Sequence, residues 1–274
     1  MAIEGAVCHM QSSVTENLLR VMIRLRSAAR KAGRESSEIT LVAVTKGVEM
    51  KGLVEAYSGG VRVFGENYVQ ETREKSKKFK NKQVKWHFIG HLQKNKVKLA
   101  IPMYSVIESV DSLALAVEIN KRAAALGVPV VRVMIQVNIA REKTKSGVDA
   151  KNAVKLARAI AGLKNLKLLG LMAIPPQYES SDMSRPYFIT LRRLAERINK
   201  EAIPGIFIRD LSIGMSNDFE VAIEEGATIV RVGTAIFGPR EGDKVEPKPE
   251  VKVKAKPKAK PKPKAKAKPK AKAK

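Results

Sequence analysis

Cysteine is nearly absent: Cys8 stands alone in a chain of 274 residues. One thiol cannot close an intramolecular disulfide, which excludes a cross-linked secreted framework and fits a reducing compartment. No apolar run approaches the length of about twenty residues that a membrane helix needs. The N-terminus also lacks the charged-then-apolar order of a secretory signal. These absences point to a soluble intracellular protein with no membrane partner, the cytoplasm first, with nucleus and organelles left open. Histidine is scarce, and His9, His87, His91 and Cys8 show no metal-ligand spacing. No G-x-G-x-x-G follows the first strand pattern, which counts against an open dinucleotide-binding sheet. Acidic side chains are few, 27 against 52 lysines and arginines, for a formal charge of +25.

That charge is unevenly spread. From Glu246 onward the chain contains only Lys, Pro, Ala, Val and Glu, and its 13 lysines and two glutamates put +11 there, leaving +14 for residues 1–245. A Lys/Pro/Ala polymer has no apolar face to offset the entropy of ordering, so 241–274 reads as a disordered basic tail. It is suited to non-specific polyanions, with affinity that falls as salt rises. Lacking aromatics to stack on bases, it would be indifferent to sequence. The plain alternative is a solubilising appendage.

Residues 1–13 read as a flexible N-terminus and 14–240 as the folded domain. "VTENLLRVMIRLRSAARKA" (14–32) places Leu18, Val21, Met22 and Leu25 on one helical face. Short β-branched runs then alternate with helical ones. Eight strands are predicted, at 39–45, 61–65, 85–90, 103–109, 130–138, 166–173, 209–214 and 228–233, with helical patterns at 111–127, 149–163 and 183–200. Eight strand–helix units predict an α/β fold, a single (β/α)8 barrel of the TIM type behind an N-terminal helix. A barrel of this size fits a monomer.

The barrel collects chemistry at the ends of its strands. Lys46 follows the first strand, in "LVAVTKGVEM" (41–50). The polar, Gly-marked stretches "GENYVQE" (65–71), "GHLQKNK" (90–96), "NIAREKTKSG" (138–147), "MAIPP" (172–176), "GMSND" (214–218) and "GTAIFG" (233–238) all fall on the same face. In "SIGMSNDFEVAIEEG" (212–226), Asn217 and Glu220 have the spacing of a capping box. In "RVGTAIFG" (231–238), Gly233 brings backbone close to a ligand and Thr234 opens a short helical turn. Two such turns on neighbouring strands make an anion site. A lone lysine across the mouth from it suits a phosphate-bearing aldehyde. Pyridoxal phosphate and a phosphosugar both meet that description, and pattern alone does not choose.

The motifs "LVAVTK", "FGENYVQE", "WHFIGHLQKNK", "KSGV", "GLMAIPP" and "IGMSNDFEVAIEEGATIVRVGTAIFG" occur in order. From about Val14 to Arg240 the chain resembles the pyridoxal phosphate homeostasis family (YggS/PROSC type), whose barrel is similar to the N-terminal domain of alanine racemase. The resemblance implies a pyridoxal 5'-phosphate cofactor held as a Schiff base on Lys46. It puts Met215, Ser216, Gly233 and Thr234 at the phosphate, Arg231 at the pyridine nitrogen, Asn67 and Met172 along the ring, and Lys145 beside the far edge. An arginine at that nitrogen stays protonated and cannot donate a proton, so the ring is a poor electron sink. The racemases also draw an acid/base from a second domain, and after Arg240 this chain has only its tail. The expectation is therefore a carrier or buffer of the cofactor, supplying pyridoxal phosphate-dependent apoenzymes, without robust turnover. The rivals are a weak amino-acid racemase or related enzyme, and a polyanion-binding protein acting through residues 246–274.

Of the remaining residues, His91 is expected to line the pocket and His87 to be a satisfied core or interface histidine. Trp86 is expected between barrel and helices, and "KSKKFKNKQVK" (75–85) reads as a solvated face.

Overall fold

The computed structural model describes residues 13–142 and 144–239, all within one unit, Met1–Arg240. Eight strands, β1 (Thr40–Val44), β2 (Val63–Glu66), β3 (Lys85–Phe88), β4 (Val106–Val110), β5 (Val131–Val137), β6 (Leu166–Ala173), β7 (Asp210–Ser212) and β8 (Ile229–Val232), pair in chain order. All pairings are parallel, and β8 returns to β1, with Leu41 beside Val230 and Val42 beside Arg231. The predicted barrel is thus present, and each predicted strand overlaps an observed one.

Alternation along the strands sorts side chains to two sides. Val42, Val106, Met134 and Ile229, from β1, β4, β5 and β8, form a small apolar layer inside the ring. Two residues further along three of those strands, the inward positions turn polar: Glu108, Gln136 and Arg231, all buried. The outward positions, among them Phe64, Ile107, Ile135, Leu171 and Val230, belong to the large core beneath the helices. Trp86 is there too, tilted against Phe64 with ring centroids 5.7 Å apart, as expected.

The helices are α1 (Val14–Lys31), α2 (Met50–Ser58), α3 (Val69–Lys78), α4 (Val97–Ala100), α5 (Leu113–Ala125), α6 (Ala150–Ala161), α7 (Arg185–Lys200), α8 (Phe219–Glu224) and α9 (Thr234–Phe237). Ser13 caps α1: its hydroxyl takes the Glu16 N–H, and Glu16 returns to the Ser13 N–H, each at 3.2 Å. Ser13 therefore caps the helix; residues 1–12 and 240–274, the latter including the tail expected at 241–274, lie outside the described residues. Buried Leu18, Val21 and Leu25 dock α1, which packs across α8 and α9 behind the closing strand. Among the described residues no helix is long and apolar enough to cross a membrane.

Two local expectations fail. The turn before α8 is not a capping box of Asn217 and Glu220. Asp218 occupies the cap position, and its carboxylate accepts the Met215 N–H at 2.7 Å. Glu220 is instead drawn to Arg24 of α1, with Nε 2.6 Å from Oε1. Nor is 75–85 wholly a solvated face: Lys75 is buried, because carboxylates from β2 and α3 converge on its ammonium.

Candidate functional site at the barrel mouth

Lys46 follows β1 in a turn over residues 45–48, closed by the Val48 N–H on the Thr45 carbonyl at 2.9 Å. Gly47 takes φ +66°, the conformation that a turn of this kind reserves for glycine. Lys46 is half-buried, and its ammonium makes no hydrogen bond or ion pair among the described residues. Val44 pairs with Gly65 across β1 and β2, so Lys46 and Asn67 leave their strands at the same level.

Asn67 is fixed from the next strand. A Cβ at Gly90 would stand 2.3 Å from the Asn67 carbonyl oxygen, so only glycine lets the loops after β2 and β3 touch. Asn67, Gly90 and His91 line a cavity of about 250 Å³ together with Gln136, Lys145 and Ser146. His91 is exposed, with Nδ1 3.3 Å from the Ser146 hydroxyl and 3.5 Å from an Asp111 carboxylate oxygen. The Lys145 ammonium contacts Glu142 at 2.8 Å and donates to the Pro175 carbonyl at 3.3 Å. The structure therefore brings Asn67, His91 and Lys145 together in one pocket.

A second cavity, of about 410 Å³, lies where β7 and β8 end, lined by Arg24, Glu179, Ser216, Asn217, Thr234 and Ala235. Ser216 and Thr234 meet here. The Ser216 hydroxyl accepts the N–H of Gly233 at 3.3 Å and of Ala235 at 3.1 Å, while the Met215 N–H is held by Asp218. Thr234 opens α9, as expected. Sequence reasoning missed Ala235 and Arg24. Ala235 carries no chemistry beyond its backbone, and nothing local in α1 reveals that its polar face meets the last two βα loops.

Arg231 and Met172 lie deeper. Both are buried, and neither lines either cavity. Arg231 donates to the Ser212 carbonyl and hydroxyl, both at 2.6 Å, and to the Ala173 carbonyl at 2.9 Å. Ser212 in turn donates to Glu108 at 2.5 Å, whose other oxygen lies 2.6 Å from Nδ1 of His87. A buried polar chain thus runs through the barrel, and His87 is the satisfied core histidine expected of it. Burial pushes the Glu108 carboxyl up, but the hydrogen bond and charge of His87, with Arg231 and Ser212, bring it below the usual carboxylate range. Burial lowers the Arg231 pKa against the opposing charges of Glu108 and Asp218. Among the described residues no cluster of His, Cys, Asp or Glu is arranged to hold a metal ion.

The family described as alanine racemase, N-terminal domain, matches residues 19–241. A pyridoxal phosphate homeostasis protein of Aquifex aeolicus is 44% identical over 226 residues, covering 82% of this chain and 98% of the relative. The Escherichia coli K12 protein of the same name is 39% identical over 236 residues, covering 85% and 99%. Among solved structures, PipY of Synechococcus elongatus PCC7942 with pyridoxal phosphate bound superposes with a TM-score of 0.72 at 31% identity, covering 82% of this chain and all of PipY. The chain belongs to the alanine racemase N-terminal-domain family and, within it, to the pyridoxal phosphate homeostasis proteins.

Proposed function

We propose that this chain binds pyridoxal 5'-phosphate covalently at Lys46 and acts in its intracellular homeostasis, as a carrier or buffer that supplies dependent apoenzymes. The observation that carries the reading is the Lys46 ammonium, half-buried just past the end of β1 and without a partner among the described residues. When bound, the cofactor supplies an aldehyde, whose oxygen leaves as water when an amine condenses with it. The residues present fit such a group. Ser216 Oγ already gathers the N–H groups of Gly233 and Ala235 around one oxygen, the type of acceptor a phosphate presents, and Thr234 adds a hydroxyl beside them. Asn67 and Met172 remain the proposed ring residues, Lys145 the residue at the far edge and His91 a residue lining the pocket. The names of the relatives and the ligand in PipY support the same reading.

Arg231 argues for holding over turnover. Its guanidinium keeps its proton, so a pyridine nitrogen beside it gains none. Held beside this guanidinium, the cofactor would be a weaker electron sink, which would disfavour transamination and decarboxylation. The test is the visible spectrum of purified protein with pyridoxal phosphate, wild type against Lys46→Ala, before and after borohydride. Wild type gains a band, and a reduced adduct maps to Lys46; the variant gives neither. Protein that stays colourless with added cofactor sinks the proposal. Loss of optical activity from an added amino acid would move the assignment to the racemase alternative.

A further inference from the structure

The turn that presents Lys46 is fastened on both sides by one ionic cluster, buried at Glu66 and Lys75 and partly exposed at Glu71. On the N-terminal side, the Thr45 hydroxyl donates to Glu66 Oε1 at 2.7 Å, and the Thr45 carbonyl accepts from the Lys75 ammonium. On the C-terminal side, the Gly47 N–H donates to Glu71 Oε1 at 2.6 Å. Lys75 joins the two sides, donating to Glu66 Oε1 and to Glu71 Oε1, each at 2.7 Å. An ammonium has three donors, and these go to the Thr45 carbonyl and to the two carboxylates that hold Thr45 and Gly47. Glu66 is wholly buried and Lys75 nearly so, at 7% exposure. A buried charge is costly unless paired, so such a cluster persists only where its geometry is closely held.

The cluster belongs to neither cavity and takes up none of the proposed cofactor residues. It ties the β1 end to α3, the helix that follows Asn67, and α3 is braced further by Thr72 Oγ1 and the Tyr104 hydroxyl, 2.5 Å apart. We infer that Glu66, Glu71 and Lys75 are positioning residues that clamp the 45–48 turn and set where the Lys46 amine stands. The inference rests on the reading of Lys46 as the attachment point. An amine on a loose turn spreads over many orientations, and holding reacting groups in place is a large part of reactivity.

The test uses the full chain as wild type, Glu71→Ala, Glu71→Gln and a control, Glu74→Ala. Glu74 lies on the same helix and pairs with exposed Lys77. Amide hydrogen exchange over residues 44–49 is measured without ligand, alongside thermal unfolding, then titration with pyridoxal phosphate, borohydride reduction and mapping of the adduct. Removing the carboxylate from the Gly47 N–H should speed exchange there and weaken cofactor binding, each by about tenfold or more. The melting temperature should fall modestly against that of Glu74→Ala, because Lys75 loses one of its two carboxylates while Glu66 still pairs it. Glutamine keeps an acceptor in place and should restore both readouts to within about threefold. A folded Glu71→Ala protein with wild-type exchange at Gly47 and wild-type binding overturns the clamp. Where Glu71→Ala does not fold, Thr45→Val tests the N-terminal fastening through exchange over 44–49 and cofactor binding, because it replaces the hydroxyl held by Glu66 with a methyl; wild-type values for both then overturn the clamp. Wild-type protein that forms no adduct at Lys46 defeats the cofactor reading instead, and the exchange measurement still decides the clamp.

Discussion

Glu108 is a carboxylate with no exposure at all, placed between His87 and the Ser212 that Arg231 also grips. Its pKa is depressed below the ordinary 4.5. The stability it contributes is therefore fully present above 4.5 and is lost as pH falls further, when the native pairing must be protonated away. Glu108→Gln should cost about 3 kcal/mol at neutral pH, because Arg231 is left buried with less negative charge to balance it. Urea unfolding at neutral pH and at steps below 4.5 checks both claims. The gap between wild type and variant should narrow as pH falls, and a gap that stays constant would refute the linkage. Glu66 runs the other way: burial outweighs the charge of Lys75 and raises its pKa, so its share fades as pH rises through the raised value.

At the scale of elements, the mouth depends on close backbone approach. The loops after β2 and β3 meet at Gly90, where a Cβ would lie 2.3 Å from the Asn67 oxygen and 2.6 Å from its Cα. Backbone cannot yield as a flexible side chain does. Gly90→Ala should destabilise by about 1–3 kcal/mol and, by pushing Asn67 away, weaken cofactor binding as well. Gly162→Ala is the comparison. A Cβ there would meet the Ala159 oxygen at an ordinary 3.6 Å, and the change should stay within about 0.5 kcal/mol. Denaturant melts and cofactor titrations on both variants decide this, and equal effects would reject the argument. The same scale shows what was legible in advance. Each strand was visible because a buried parallel strand needs an unbroken β-branched or apolar run, as in β1 and β5. The ends of β1 and β8 pointed to Lys46, Gly233 and Thr234, whereas Asn67 and Ser216 were named through the family resemblance. What stayed hidden depends on partners far along the chain. Glu220 has capping spacing, but Arg24, 196 residues away, claims it. Lys75 sits in a lysine-rich run, and its Glu71 partner at i−4 was readable, whereas the arrival of Glu66 and the Thr45 carbonyl was not.

For the whole molecule, the formal charge of +25 belongs partly to the segment 246–274, with its 13 lysines and two glutamates. Deleting that segment should leave cofactor binding at Lys46 unchanged and remove any contact with polyanions. Such contact, measured with duplex DNA of unrelated sequences, should be equal among them and fall steeply with salt. Retention of DNA binding by the shortened protein would place the contact on the barrel instead.

The pairing of β8 with β1 has a consequence for how the protein is made. A ribosome releases Lys46 early, but Arg231, Gly233 and Thr234 emerge some 185 residues later. No nascent fragment that stops short of β8 contains both edges of the seam, so none of those has a finished mouth. A ligand that spans that seam stabilises only the closed ring, since linkage rewards the state that binds. Occupancy of the mouth would therefore report that the ring has closed.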